Sequence, residues 1–418
     1  MQIQIKNIWK IKEATINLDW LSVIAWNNDT WKSTISKVVF SIIKALQKYK
    51  EFSSKEKEIK KYVERLYFAS RSVFHYLRQE KKEESWSIFK ELKYVFEPDI
   101  FWENFIKNDD KILFLEEKNN FIKDFKFDNF LKNDFYELIL KIKEEYLKEE
   151  TKEYLTTNAL NEIFNREFNW ELNCIKNKWE ILVNDWELLL FKIDIKSNKA
   201  KIKITDDFLK IKDSTFINSP IILDFFNNSR HLNIQYHYDD LFNKINNIDT
   251  NNKKRKNWFW KVIKDTIKWS FEIRDDFIWK KLTFTKDGVD WDIEIINTAT
   301  WIKSFWILDL LDKSNCLDWD DLLILDEPEV HLHPEWQVVY AKLIIYLIKE
   351  RWLSVLITSH SPYMIEALSK FSKNKDKVKA SFYLSEEKNW KVEINDKTNK
   401  KYEIFEKLSK PFRDLMLK

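Results

Sequence analysis

Trp26-Asn27-Asn28-Asp29-Thr30-Trp31-Lys32-Ser33-Thr34 follows the apolar run Leu21-Ser22-Val23-Ile24-Ala25 and precedes a helical pattern from Ile35. A lysine and two hydroxyls at the mouth of a helix, fed by a buried strand, are the parts of a phosphate-binding loop. The helix N-terminus offers free N–H groups and the positive end of its dipole to an anion. The spacing is that of G-x-x-x-x-G-K-[ST], except that Trp26 and Trp31 stand where glycine is required. Glycine is needed because the backbone takes positive φ and passes close to the phosphates. An indole would fill the phosphate's place.

Two further stretches carry groups of complementary chemistry. Leu322-Leu323-Ile324-Leu325 reads as a buried strand ending in Asp326 and Glu327. The aspartate is suited to hold Mg²⁺ through water, and the glutamate to orient and deprotonate an attacking water. An isolated acidic pair would read as a solvated strand end; beside a phosphate loop it reads as catalytic. Val355-Leu356-Ile357-Thr358-Ser359-His360 is another buried strand with a polar end. His360 is suited to donate a hydrogen bond to a γ-phosphate and to sense its loss, although a lone histidine is more often structural.

Weaker signals lie between these. Thr300-Trp301-Ile302-Lys303-Ser304 opens a helical pattern. With glycine at 301, a hydroxyl, a bare backbone and a helix start would make an anion contact, though such starts are also ordinary caps. His331 and His333 invite a metal, but no further ligands stand at useful spacing. A structural turn leading into a helix over 335–350 is the preferred reading.

Composition explains the misplaced tryptophans. The chain has 1 Gly and 20 Trp in 418 residues, where average usage near 7% would put roughly 29 glycines. The codon UGA is read as Trp in one variant genetic code and as Gly in another, so most of these tryptophans are expected to be glycines in the cell. Local contexts agree: Asp19-Trp20 ends a strand, Trp336 opens a helix, Arg351-Trp352 stands where a helix wants its terminal glycine, and Asn389-Trp390 reads as a hairpin Asn-Gly. The alternative is a Trp-rich binder of aromatic ligands, which leaves the phosphate-loop spacing unexplained.

Charge is balanced, with 71 basic and 68 acidic residues and a net of +3, so no global field calls for nucleic acid. Cys174 and Cys316 fit no metal or disulfide spacing, as in a reducing compartment. No apolar run reaches the ~18 residues of a membrane span, and no signal-peptide pattern is visible. A cytoplasmic protein without membrane partners is expected.

Along the chain, residues 1–50 read as strands, phosphate loop and first helix. Residues 51–164 are helical and highly charged, an insertion with a solvated face or, less strongly signalled, a partner- or nucleic-acid-binding arm. Residues 165–212 alternate as antiparallel strands, with Trp170, Trp179 and Trp186 at their turns if read as glycine. Residues 213–278 form a second, mixed insertion containing the basic run Lys253-Lys254-Arg255-Lys256, more often a solvated loop than a nucleic-acid site. Residues 279–418 complete the core, and the strands at 280–296 are expected to join those of 1–25 in one sheet. The fold class is thus α/β: a P-loop NTPase core with an antiparallel β layer and a large helical insertion.

Taken together, these motifs resemble the ABC-type ATPase heads, in particular the stand-alone, OLD-like branch related to SMC and recombination-repair ATPases. The resemblance covers about residues 1–50 and 280–370. It implies an ATP-hydrolysing, Mg²⁺-dependent switch, with Asn27, Asn28, Asp29 and Thr30 around the phosphates and Lys32 on the β- and γ-phosphates. It further implies Ser33 and Asp326 on Mg²⁺, Glu327 as general base and His360 as switch. Thr300, Trp301 and Lys303 would act as a signature motif completing the ATP site of a second protomer in a homodimer. The chain departs from the pattern at Trp26, Trp31 and Trp301, and its signature lacks the full Leu-Ser-Gly-Gly-Gln form. Two rivals remain. One is a non-catalytic interaction module, if the tryptophans are literal. The other is the ATPase part of an OLD-type nuclease system, although the residues after Pro362 read as strands and a final helix rather than a carboxylate-rich nuclease domain. DNA or a partner protein, in a DNA-related or phage-defence process, would receive the motion.

Overall fold

The computed structural model describes residues 1–26, 32–49, 54–79, 85–125, 129–147, 150–168, 179–185, 187–196, 199–206, 209–231, 235–248, 269–275, 280–286, 293–373 and 378–416. The loop Asn27–Trp31, the expected turns at Trp170 and Trp186, and the basic run 253–256 lie outside these residues. The chain divides into two compact units, Met1–Tyr49 with Thr156–Lys418, and Lys50–Leu155.

The first unit begins with β1 (Gln2–Ile8), β2 (Ile11–Asn17) and β3 (Leu21–Ala25), followed by helix α1 (Lys32–Lys48). In the second unit, helices α2 (Ser54–Gln79), α3 (Ser85–Val95), α4 (Pro98–Lys107), α5 (Lys111–Asp124) and α6 (Asn129–Leu147) enclose a core of their own around Phe96, Phe101, Leu115 and Phe135. Asp110 caps α5, its carboxylate accepting from the Ile112 and Leu113 N–H groups at 3.0 Å each, which satisfies two of the orphan donors at a helix start.

Helix α7 (Lys152–Phe168) returns the chain to β4 (Trp179–Asp185), β5 (Leu188–Lys196), β6 (Lys199–Ile204) and β7 (Asp213–Ile217). A 3₁₀ segment (Pro220–His231) and α8 (Tyr236–Asn246) precede β8 (Trp269–Asp275), β9 (Lys280–Lys286) and β10 (Ile293–Glu294). The C-terminal part alternates α9 (Thr300–Lys313), β11 (Asp321–Asp326), α10 (Pro334–Arg351), β12 (Ser354–Ser359) and α11 (Pro362–Lys373), then β13 (Ala380–Lys388), β14 (Lys391–Asp396) and α12 (Lys401–Met416).

Eleven strands form one sheet in the order β6-β5-β4-β1-β2-β14-β13-β3-β12-β11-β7. Its centre, β13-β3-β12-β11-β7, is parallel throughout. The sequence dictates this: β3 is buried at every position, and β11 and β12 at all but their first, as in strands covered on both faces. The layer β6-β5-β4-β1-β2 is antiparallel, and β4 alternates buried and half-buried residues, the mark of a sheet with one covered face. The α/β class with an antiparallel layer and a helical unit is therefore as the sequence reads.

Three expectations are corrected. The strands at 280–296 do not join the main sheet: β8, β9 and β10 make a separate three-stranded sheet. The strand region does not start at 165, because α7 continues to Phe168. Trp179 is not a turn residue; it opens β4 opposite Ile195 and is fully buried.

Under the sheet, α1 carries a fully buried Lys44. Its ammonium lies 2.5 Å from Asp213 and 2.6 Å from Asp240, and Lys244 lies 3.0 Å from each of the same carboxylates. Burial alone would raise the Asp213 carboxyl, but Lys44 and Lys244 outweigh it and hold it at about 2. This four-charge cluster ties α1 and α8 to the start of β7.

Several tryptophans occupy left-handed backbone. Trp9 has φ 48°, Trp352 φ 56° and Trp390 φ 63°. Trp352 is the C-cap of α10, its N–H donating to Ile348 O. Asn389 and Trp390, both at positive φ, form the two-residue link between Lys388 and Lys391 of the β13–β14 hairpin, where a type I′ turn favours Asn-Gly. Left-handed backbone costs an L-residue roughly 1–2 kcal/mol, and the Trp390 indole is 80% exposed, so little packing offsets it. Trp390→Gly is expected to stabilise the protein by about 1 kcal/mol, measured by denaturant titration; equal or lower stability would count against a glycine-type turn.

Candidate functional site

Strand β3 delivers Trp26 to the C-terminal edge of the parallel sheet, where its N–H donates to Ser359 O at 3.2 Å. Trp26 is 2% exposed, and its indole N–H has no acceptor among the described residues. Leaving such a buried donor unmet costs about 1–3 kcal/mol. Lys32 opens α1, Ser33 follows, and Thr34 is buried.

Ser33 reaches Asp326 directly, its Oγ donating to one carboxylate oxygen while Thr358 Oγ1 donates to the other. Three chain segments thus converge on one buried carboxylate: the start of α1, the end of β11 and the end of β12. These are oxygen donors only, the set a hard divalent cation takes. Among the described residues no group of three or more His, Cys, Asp or Glu is placed to hold a metal.

Glu327 follows with φ 49°, an uncommon conformation for a side chain of this kind. Its N–H donates to Thr358 O at 2.9 Å, which pins the turn and carries the carboxylate past the strand end. His360 Nδ1 lies 3.6 Å from Glu327 Oε1 and 3.2 Å from Glu329 Oε1. A cavity of about 300 Å³ is lined by Ser33, Asn218, Ser304, Asp326, Glu327 and Tyr340, among others. The sheet edge therefore gathers Ser33, Asp326, Glu327 and His360 in one place.

Thr300, Trp301 and Lys303 stand in the first turn of α9. The Lys303 ammonium is buried and held by Asp224 at 2.6 Å, and Trp301 stacks on Trp336 with ring centres 4.8 Å apart. Ser304, one turn into the helix, faces the same cavity as Ser33 and Asp326. His331 (φ 71°) lies in the turn after Glu327, and His333 is the N-cap of α10, accepting from Glu335 N–H at 3.4 Å. Both histidines are part of a turn and a cap.

Sequence reasoning missed Glu329 and Thr358. Glu329 is 4% exposed, and its Oε1 accepts from Ser359 Oγ at 2.8 Å, His360 N–H at 2.7 Å and Ser361 N–H at 3.2 Å. Burial pushes its carboxyl up, opposed by the His360 and Ser359 donors. A third acid two residues after Glu327, between Pro328 and Val330, was the available signal.

Parts of the chain are similar to known proteins. A 50-residue stretch is 36% identical to Septu protein PtuA of Bacillus thuringiensis, covering 12% of this chain and 12% of that protein. The chain therefore matches about an eighth of that relative's length. Among solved structures, an SMC head bound to the C-winged helix domain of ScpA aligns over 96% of this chain and 98% of its own, with 9% identity and a TM-score of 0.42. The SMC head domain from Thermotoga maritima aligns over 58% and 85%, with 13% identity and a TM-score of 0.33. Residues 304–366, which hold Asp326, Glu327, Glu329 and His360, match the family described as "AAA domain, putative AbiEii toxin, Type IV TA system".

Proposed function

We propose that this chain is an ATP-hydrolysing head of the ABC/AAA type, on the OLD-like branch, and that glycine occupies positions 26, 31 and 301 in the cell. The observation that carries this reading is the meeting of Ser33 and Asp326 at the end of the parallel sheet, with Glu327 beside them. A hydroxyl at the start of α1 bonded to the carboxylate that ends β11 is what a phosphate loop and its acidic partner strand require. The AAA family match over 304–366 and the PtuA match support it.

In this reading, Ser33 and Asp326 hold Mg²⁺, which supplies positive charge to the phosphate oxygens when bound. Lys32 adds charge to the β- and γ-phosphates, and the residues 26–31 wrap them. Glu327 orients the attacking water and takes its proton, and His360 donates to the γ-phosphate and loses that contact once it leaves. Thr300 and position 301 then contact the ATP of a second protomer, so that ATP closes a homodimer and hydrolysis opens it. Because Lys303 is already bound to Asp224, its part in that contact is to fix the start of α9. We place this switch in the cytoplasm, passing its motion to DNA or a partner protein in a DNA-related or phage-defence process. Among the described residues no helix is long and apolar enough to cross a membrane.

The test is MgATP turnover by the purified W26G/W31G/W301G chain. Steady phosphate release that disappears in Lys32→Ala is the expected result. No release from the glycine-bearing chain would favour a non-catalytic module, and Mg²⁺-dependent DNA cleavage by the chain alone would favour the nuclease reading.

A further inference from the structure

The balanced charge of the chain hides an uneven use of arginine. Of the 71 basic residues only nine are arginine, and three of the nine, Arg65, Arg71 and Arg78, lie on α2. From Arg65 to Gln79 that helix holds no acid. A chain that uses lysine nearly everywhere else thus keeps a third of its arginines within four turns of one helix. Arginine differs from lysine in its planar fork of donors, which meets phosphate oxygens two at a time and also stacks on aromatic rings.

Lys61, Arg65, Phe68, Arg71, His75 and Arg78 follow one another at steps of three and four, which puts them on one face of α2, and all six are exposed. At 1.5 Å per residue the row is about 26 Å long. Glu64 is the one acid among the exposed residues described on this helix. A solvated helix face mixes signs at these spacings, as Glu58 and Lys61 do at 3.4 Å and Glu103 and Lys107 at 2.5 Å in the same unit. Arg65, Arg71 and Arg78 have no ion pair among the described residues. Two of them lie over rings of their own helix instead, Arg65 over Tyr62 and Arg71 over Tyr67, each 5.8 Å from the ring centre. Such stacking restrains a guanidinium without neutralising it. Helix α3, which packs on α2, adds exposed Lys90, Lys93 and Tyr94 against Glu91 as its one acid.

Phe68 decides which polyanion suits this face. It stands between Arg65 and Arg71 in the row and is 58% exposed. A ring open to solvent among unpaired guanidiniums matches a single strand, whose bases stack on aromatic side chains while its phosphates meet the cations. In a duplex the bases are already stacked on one another. A membrane surface calls for a broad apolar face opposite the charges, and one ring does not make one. We infer that this face of α2 binds single-stranded nucleic acid, with Arg65, Arg71 and Arg78 on the phosphates and Phe68 against a base. The inference uses no residue of the ATP site, so it stands or falls apart from the ATPase reading.

The experiment is fluorescence anisotropy of a labelled oligothymidylate strand titrated with the full chain, without ATP or Mg²⁺, over a series of KCl concentrations. The parent is expected to bind with an affinity that falls as salt rises. R65A/R71A/R78A is expected to weaken binding about tenfold or more and to lower the slope of log affinity against log salt by about 2, since each phosphate contact on a single strand contributes about 0.7. Phe68→Ala is expected to weaken binding about fivefold or more with the slope unchanged, a combination that loss of charge does not produce. No binding by the parent, or a parent slope kept by the arginine variant, overturns the inference. Phe68→Ala without effect, or duplex DNA bound as tightly as the strand, overturns the single-stranded assignment. Polyglutamate bound as tightly as the strand would make the face a dock for acidic protein and overturn it as well. The three arginines are exposed, so their removal is expected to leave the helix content by circular dichroism intact; if that variant does not fold, the salt slope of the parent and Phe68→Ala decide.

Discussion

With glycine at 26, 31 and 301, Glu327→Gln is expected to bind MgATP as the parent does and to turn it over about 10² to 10⁴-fold more slowly, the usual contribution of a general base. The structure gives the reason for so large an effect with so little collateral change. The Glu327 backbone is held by its N–H bond to Thr358 O, and glutamine leaves that bond, the positive φ and the neighbouring Asp326 contacts in place. What it removes is the ability to take a proton from water. Single-turnover phosphate release from preloaded nucleotide, with filter binding of ATP, measures both quantities. Parent-like release in Glu327→Gln would show that another group accepts the proton, and loss of binding together with release would show that Glu327 acts in binding instead.

The parallel centre of the sheet was legible because β3, β11 and β12 are short apolar runs whose last residues turn polar, and only strands covered on both faces read that way. The places of Asp326, Glu327 and His360 at strand ends were legible for the same reason: each stands where such a run stops. Glu329 was not, because its role comes from a turn that folds back onto residues thirty positions later, a pairing that no local pattern encodes. Lys44 was missed likewise. It lies on a helix read as amphipathic, and only the tertiary approach of Asp213 and Asp240 makes its burial tolerable. The separate sheet of β8, β9 and β10 escaped because alternation specifies a half-buried strand without specifying its neighbour. Trp179 misled for a different reason. A composition argument applied to all tryptophans at once takes a buried strand position for a turn.

Glycine at 26 and 31 is expected to turn a chain that does not respond to MgATP into one strongly stabilised by it. Ligand present at about 100 times its dissociation constant adds about 2.7 kcal/mol to the folded state, a shift that calorimetry with and without MgATP resolves readily. In the tryptophan form, the Trp26 indole is buried at the strand end with its N–H unmet among the described residues. At the first glycine position of the phosphate-loop spacing, an indole is expected to take room that the backbone and the phosphates need. Trp9, Trp352 and Trp390 meanwhile hold backbone conformations that only glycine takes without cost. The two observations are independent, since those three positions lie outside the stretch 26–34 in the sequence, and both favour glycine. Peptide mass of the native protein across positions 26 and 31 decides what the cell places there. If tryptophan is found at both positions, and the tryptophan chain is stabilised by MgATP as strongly as W26G/W31G, the phosphates must be held by backbone that tolerates an indole. The glycine argument would then fall while the carboxylate site at Asp326 and Glu327 remained.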